Sequence, residues 1–155
     1  DVWLMMDLRE LYQDLIVDHN KRPRNFGKID DTTYYAEGFN PLCGDQLTVY
    51  LNLDGDRISK VTFEGEGCAI STASASMMTE ILTGKTMAEA DELFELFHRV
   101  LVGEIELDDD TTLQLGKLAV LTGVRAYPSR VKCATLAWHT CQGALHKQHD
   151  GISTE

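Results

Sequence analysis

Basic side chains are scarce in this chain of 155 residues. Lysine and arginine together number 14 against 25 acidic residues, so the formal net charge at pH 7 is −11. A negative field of this size repels the phosphates of nucleic acids and of anionic lipids. We therefore expect no nucleic-acid partner and no membrane partner.

Long apolar runs are also missing. The longest uncharged stretches, residues 67–79 and 133–145, are too short and too polar to span a bilayer. The opening DVWLMMDLRE turns acidic and lacks the basic n-region of a signal peptide. These features predict a cytoplasmic location, where thiols stay reduced and cysteines serve metal binding or chemistry.

The sequence contains no repeat, no low-complexity segment and no linker long enough to separate two domains. Its hydrophobic fraction of 43% and charged fraction of 25% are typical of a globular chain. A chain of this length buries enough surface to fold without a disulfide framework. We therefore predict a single domain over residues 1–155.

Two catalytic signatures are absent from the sequence. No GxSxG motif occurs, and Gly65 and Gly67 are followed by Ile70 where a GxGxxG loop needs a third glycine. Each of the five histidines is expected at the surface or at a helix end rather than in a metal site: His19, His98, His139, His146 and His149.

The apolar spacing predicts an α+β fold. Residues 46–53 and 57–64 alternate as two strands around the hairpin signal Asp54-Gly55, and residues 34–39 are a candidate first strand. Helical periodicity, a capping box at Thr86 and Glu89, and a proline at a helix start predict five helices. These helices are expected over residues 7–20, 69–82, 86–102, 112–121 and 128–147, with an acidic connector over residues 103–110. The expected architecture is a small antiparallel sheet of about three strands packed against about five helices.

Three of the four cysteines lie where an element begins. Cys43 is in a loop beside Asp45, Cys68 is in a glycine loop that enters a helix, and Cys133 is in the early turns of the last helix. Such side chains can converge at one exposed end of the domain, where three thiolates and one carboxylate would suit Zn²⁺. Iron–sulfur clusters take the same thiolate ligands, and three separate buried cysteines would have the same spacing.

Cys141 is expected to play a different part. It lies eight residues after Cys133, about 12 Å along a helix, so the two thiols cannot share one metal without breaking the helix. It also falls on an apolar stripe with Trp138 and Leu145. We predict that Cys141 belongs to the hydrophobic core.

Four motifs in combination resemble the iron–sulfur assembly proteins of the IscU/NifU-N superfamily. They are NPLCGD at 40–45, GEGCAIS at 65–71, ASASMM at 73–78 and VKCATLAW at 131–138. The resemblance extends roughly over residues 8–145 and is nearest to the SufU type. Lys132 stands where IscU scaffolds carry a histidine before the third cysteine, and the segment between the second and third cysteine motifs is long.

The resemblance implies a zinc-dependent sulfurtransferase in iron–sulfur cluster assembly. Such a protein accepts persulfide sulfur from a cysteine desulfurase of the SufS type and passes it towards downstream iron–sulfur assembly proteins. Matching the motifs residue by residue makes Cys43, Asp45, Cys68 and Cys133 the zinc ligands, and Cys43 the sulfur acceptor. Arg125 matches a SufU-like position near the metal, and Lys132 is the second residue expected beside the site.

Two other functions are compatible with the same residues. The chain could be a scaffold on which a transient iron–sulfur cluster is assembled and then transferred to apo-proteins; Asp45, which tunes cluster lability in scaffolds, is present. Alternatively, zinc could stabilise an interaction module without transfer activity. Metal content and sulfur loading distinguish the three.

Overall fold

The computed structural model of the chain describes residues 2–147 and 152–153. Its elements follow in the order α1 (Val2–Lys21), β1 (Tyr34–Asn40), β2 (Asp45–Asp54), β3 (Arg57–Glu66), α2 (Ala69–Leu82), α3 (Met87–Leu101), α4 (Asp109–Leu115), a 3-10 helix (Gly116–Ala126), α5 (Pro128–Leu145) and β4 (Ile152–Ser153). The described α-helices and the antiparallel strands β1, β2 and β3 confirm the predicted α+β fold.

The sheet has the strand order β3-β2-β1-β4. The hairpin between β2 and β3 turns at Gly55 and Asp56, one residue beyond the predicted pair, and Gly55 takes the left-handed φ of +66° that favours glycine. The short strand β4 pairs parallel to β1. This strand was not predicted, because two residues are too few to show an alternating pattern.

Two helices differ most from their predicted bounds, while α3 and α5 begin and end within two residues of theirs. α1 begins at Val2, five residues before the predicted start. The helix predicted over residues 112–121 is present, but with other bounds: α4 starts at Asp109 and ends at Leu115, because Gly116, with a φ of +58°, interrupts it and leads into the tighter 3-10 segment. The start of α4 was missed because its N-cap, Asp108, was assigned to the acidic connector. The side chain of Asp108 accepts a hydrogen bond from the Thr111 amide at 2.8 Å. Of the described helices, none is long and apolar enough to cross a membrane.

The core forms where α2 and α5 cover one face of the sheet. Trp138 is buried at its centre, and its Nε1 donates a hydrogen bond to Ser74 Oγ at 3.2 Å. Ser74 in turn donates to the carbonyl of Ala134 at 2.6 Å. The small residues of α2 thus let α5 approach closely and supply the partner that a buried indole N–H needs.

Cys141 lies in this core with 2% of its surface exposed, which confirms its predicted place. Burial raises the pKa of its thiol to about 12, as expected for a group that stays neutral.

His19 lies in the last turn of α1 but is buried rather than at the surface. Its Nδ1 lies 2.7 Å from Ser76 Oγ of α2, and burial, helped by Arg24, lowers the pKa of the imidazole. His149 lies outside the described residues.

Gly38 sets how closely α5 can lie on β1, which yields the first prediction. A Cβ atom at Gly38 would lie 1.8 Å from Thr140 Oγ1, and that hydroxyl is held by a hydrogen bond to the Leu136 carbonyl at 2.7 Å. Gly38→Ala should therefore lower the free energy of unfolding by about 1–3 kcal/mol in urea denaturation.

Gly123→Ala is the matched control, because its nearest neighbour would be Tyr12 Cδ2 at 3.6 Å, an ordinary contact. Its stability should change by less than about 0.5 kcal/mol. Equal stabilities of Gly38→Ala and the parent would contradict the close approach of α5 to β1.

Candidate metal centre

The four predicted ligands are brought to one end of the domain by the starts of three elements. Cys43 lies in the turn between β1 and β2, and Asp45 is the first residue of β2. Cys68 is the N-cap of α2, and Cys133 lies in the second turn of α5. The sequence-separated motifs therefore meet because the sheet and both core helices begin side by side.

Three of these side chains form a tight group. The sulfurs of Cys43 and Cys133 lie 3.3 Å apart, and one ligand atom each of Cys43, Asp45 and Cys133 lies within 4.8 Å of the others. All four cysteines are free thiols, and 3.3 Å is much longer than the roughly 2.05 Å of a disulfide bond. This group is a candidate metal site.

Cys68 joins the group through Asp45. Its sulfur lies 3.9 Å from Asp45 Oδ2, and its backbone N–H donates to Asp45 Oδ1 at 2.8 Å. Both carboxylate oxygens are thus oriented by the segment that carries the third thiol. At the start of α2, the Cys68 sulfur also accepts a hydrogen bond from the Ser71 amide at 3.4 Å, as the side chain of an N-cap residue does.

Asn40 lies against two of the candidate ligands, Asp45 and Cys133. This residue is fully buried, and its Nδ2 lies 3.4 Å from Asp45 Oδ2 and 3.6 Å from the Cys133 sulfur. Its Oδ1 accepts from the Leu42 amide and its carbonyl from the Gly44 amide. Asn40 therefore shapes the turn that presents Cys43 and also supports two of the other side chains.

The loop before α2 passes close to Asp45, one of the candidate ligands. A Cβ atom at Gly67 would lie 3.1 Å from Ser71 Cβ and 3.4 Å from Asp45 Oδ1, so glycine lets the chain pass closely. Ser71 Oγ is buried there and has no hydrogen-bond partner within the described chain. Buried hydroxyls usually have a hydrogen-bond partner, so this one is a polar group that the described chain leaves unsatisfied near the candidate ligands.

The electrostatics of the group favour a bound cation. Burial, followed by the thiols of Cys43 and Cys68 and by the Asp45 carboxylate, raises the pKa of Cys133 well above its usual range. Without a cation, Cys133 stays protonated at neutral pH, because ionising it would place another negative charge beside Asp45. A cation removes this penalty and releases the proton.

The donor set and its spacing fit Zn²⁺. Thiolate and carboxylate ligands are both usual for tetrahedral zinc. Zn–S bonds of about 2.3 Å place neighbouring sulfurs roughly 3.8 Å apart in a tetrahedron. The separations of 3.3 Å and 3.9 Å described above differ from the usual ligand–ligand spacing by a few tenths of an ångström, within reach of small side-chain rotations.

Arg125 and Lys132, expected beside the metal, line a separate groove together with His98 and His139. Within the described residues, no side-chain hydrogen bond or ion pair connects either residue to the four candidates. The structure thus groups these two basic residues with each other.

Two residues near the site were missed in the sequence. Asn40 was quoted only as part of its motif, although an asparagine that ends a strand before a Pro- and Gly-containing loop is a usual turn-forming signal. Tyr12 of α1 is half-buried, and its pKa is raised mainly by burial and partly by Cys68, while Arg130 opposes the shift. Its proximity to Cys68 had no signal, because only the packing of α1 brings it there.

The family model described as the NifU-like N terminal domain matches residues 11–134 of the chain. The zinc-dependent sulfurtransferase SufU of Bacillus subtilis is 41% identical over 94% of this chain and 96% of its own length. The iron–sulfur cluster assembly scaffold protein IscU of Streptococcus pyogenes is 37% identical over 90% of this chain and 86% of its own length.

A crystal structure from Fervidobacterium islandicum AW-1 is similar in fold. It is described as an iron–sulfur cluster assembly scaffold protein for the SUF system, and it superposes with a TM-score of 0.79 at 40% identity. The match covers 88% of this chain and 97% of that one.

The contacts of Asn40 yield a prediction for metal affinity. Asn40→Ala removes the amide between Asp45 and Cys133, and loss of such an outer hydrogen bond typically weakens metal binding about tenfold to hundredfold. Chelator competition for Zn²⁺ should show this loss, with circular dichroism to confirm folding. Asn52→Ala, an exposed position on β2, is the matched control, and equal Zn²⁺ affinity of the two variants would contradict the supporting role of Asn40.

Proposed function

The chain belongs to the family of NifU-like N-terminal domains, and from this premise we propose that it is a zinc-dependent sulfurtransferase of iron–sulfur cluster assembly. Its sulfur donor is a cysteine desulfurase of the SufS type, and its products go to downstream iron–sulfur assembly proteins. The similarity to the Bacillus subtilis sulfurtransferase over 94% of the chain supports this function.

In this proposal Cys43, Asp45, Cys68 and Cys133 hold one zinc ion. The proposal is supported by the close grouping of Cys43, Asp45 and Cys133, by the contacts of Cys68 and Asn40 with the buried Asp45 carboxylate, and by the proton held on Cys133 without a cation. When bound, zinc keeps the thiols deprotonated at neutral pH.

Cys43 is the acceptor because it is the most accessible of the three thiols. Its side chain is exposed, that of Cys68 is half-buried, and that of Cys133 is only 3% exposed. It lies in a turn beside Gly44, which has a φ of +69°, so its sulfur can swing outward without disturbing a helix or strand. The neighbouring Leu42 is 61% exposed and offers apolar surface to a docked protein. The exposed Cys43 beside a buried carboxylate–thiol cluster is the observation that carries the proposal.

The transfer step is a thiol–persulfide exchange. The Cys43 thiolate attacks the outer sulfur of the persulfide on the desulfurase, and a new sulfur–sulfur bond forms on Cys43. The bond between the two sulfurs of the donor persulfide breaks, and its electron pair leaves with the donor cysteine as a thiolate. Sulfur moves at the persulfide oxidation level, so no added oxidant or reductant is needed.

Sulfur loading tests the acceptor. After incubation with a cysteine desulfurase and cysteine under anaerobic conditions, mass spectrometry should find one added sulfur on the peptide that contains Cys43. Cys43→Ser should abolish this loading and the stimulation of the desulfurase. Cys141→Ser changes only a buried core thiol and should load like the parent. Loading that survives in Cys43→Ser but is lost in Cys141→Ser would contradict the proposal, because it would make Cys141 the acceptor.

A second candidate function is supported by the named role of the Streptococcus pyogenes relative, an assembly scaffold at 37% identity. Metal analysis after anaerobic purification separates the two functions. The sulfurtransferase should carry stoichiometric zinc and no visible chromophore, whereas a scaffold should carry iron and sulfide with visible absorption. Zinc without any sulfur loading would instead indicate a zinc-stabilised interaction module.

Asp45 is expected to serve as ligand and as support for Cys68, and two variants separate these roles. Asp45→Asn keeps an oxygen able to accept from the Cys68 amide but loses the charge, whereas Asp45→Ala loses both. Both variants should retain zinc on the three thiolates with altered turnover. The affinity of Asp45→Ala should be the lower of the two, by about tenfold or more. Equal zinc affinities would show that the hydrogen bond to Cys68 contributes nothing to the site.

A further inference from the structure

A groove on α5 is positively charged although the protein as a whole is acidic. Its volume is about 520 Å³ and its lining includes Arg125, Lys132, His98 and His139. None of the lining side chains is acidic, whereas the full chain has 25 acidic and 14 basic residues. Such a volume is within the usual range of small-molecule sites.

The two cations of the groove have no ion-pair partner among the described residues. In the part of the chain that the structure describes, neither Arg125 nor Lys132 has a carboxylate oxygen within 4.0 Å. Arg99, at the end of α3, is by contrast paired with Glu104 at 3.2 Å. Two unpaired charges on one concave surface attract an anion more strongly than isolated surface charges do.

The two imidazoles add hydrogen-bonding groups to the same wall. The rings of His98 and His139 lie 5.5 Å apart, and Phe94 holds the His139 ring edge-on at 4.9 Å. Burial and the neighbouring His98 lower the pKa of His139 to about 4, so its ring is uncharged at neutral pH and offers one N–H donor.

Apolar side chains complete the groove. Val102 is 47% exposed and Val131 is half-buried along the wall, and a surface of this kind favours a ligand with a nonpolar body. A metal ion bound between the imidazoles would meet the charges of Arg125 and Lys132, which disfavour a cation. The combination selects for an anion that also carries a nonpolar group.

We propose that this groove is a binding site for a small organic anion, with a phosphate or carboxylate held by Arg125 and Lys132 and a nonpolar body against Val102 and Val131. The site is distinct from the four candidate metal ligands and does not depend on sulfur transfer. Lys132 directly precedes Cys133 in α5, so an occupied groove would lie on the same helix as the metal centre.

Phenyl phosphate is a suitable probe, titrated into the metal-loaded protein while NMR follows the imidazole signals of His98 and His139. We expect saturable shifts of both rings and weaker binding of inorganic phosphate, which lacks the nonpolar body. Arg125→Gln and Lys132→Gln should each weaken phenyl phosphate binding about tenfold or more, because each removes a charge-assisted contact. Lys60→Gln, at an exposed position on β3, should bind like the parent.

Shifts that do not saturate, or equal affinities of Arg125→Gln and the parent, would overturn the proposal. The same holds if inorganic phosphate binds as tightly as phenyl phosphate. The NMR titration measures ligand binding in the groove and not sulfur transfer. A negative result would therefore not contradict sulfur loading on Cys43, and a failure of sulfur loading would not contradict anion binding in the groove.

Discussion

Three thiols and one carboxylate lie close together at one end of the protein, and they repel one another when they are ionised. The sulfurs of Cys43 and Cys133 lie 3.3 Å apart beside the buried carboxylate of Asp45, and Cys68 approaches the same carboxylate. Ionising such a group in a partly buried place is unfavourable unless a cation compensates. The fold therefore has to hold the three thiols and the carboxylate close together, and this group in turn favours the binding of a metal cation.

The fold meets this demand with rigid contacts behind the site. Thr140 of α5 packs directly on Gly38 of β1, and Trp138 is tied to α2 through Ser74. These contacts fix the helix that carries Cys133 relative to the strand that leads to Cys43. Of the three thiols, only Cys43 is exposed and lies on a turn, so the arrangement combines a fixed set of candidate ligands with one accessible sulfur. This difference in exposure supports the proposal that Cys43 accepts sulfur.

The elements with strong local signals could be predicted from the sequence. The bounds of α2 agree with prediction, and the capping box of Thr86 and Glu89 is present. These features depend on contacts within a few residues. The early end of the helix predicted over residues 112–121 has a local cause too, because the positive φ of Gly116 ends α4 despite the apolar periodicity around it.

Features set by distant packing could not be predicted in the same way. The burial of His19 depends on Ser76, 57 residues away, and the grouping of Arg125 with His98 depends on the packing of α3 near α5. Asn40 reaches Cys133 across 93 residues. The four candidate ligands were named through the resemblance of their motifs, since their spacing alone did not distinguish one site from three buried thiols.

X-ray absorption at the zinc edge of the anaerobically purified protein would identify the metal ligands. We expect three sulfur ligands at about 2.3 Å and one oxygen ligand at about 2.0–2.2 Å. A coordination shell with fewer than three sulfurs, or with a histidine nitrogen in place of the carboxylate oxygen, would contradict this expectation. Protein that holds iron and sulfide instead of zinc would do so as well.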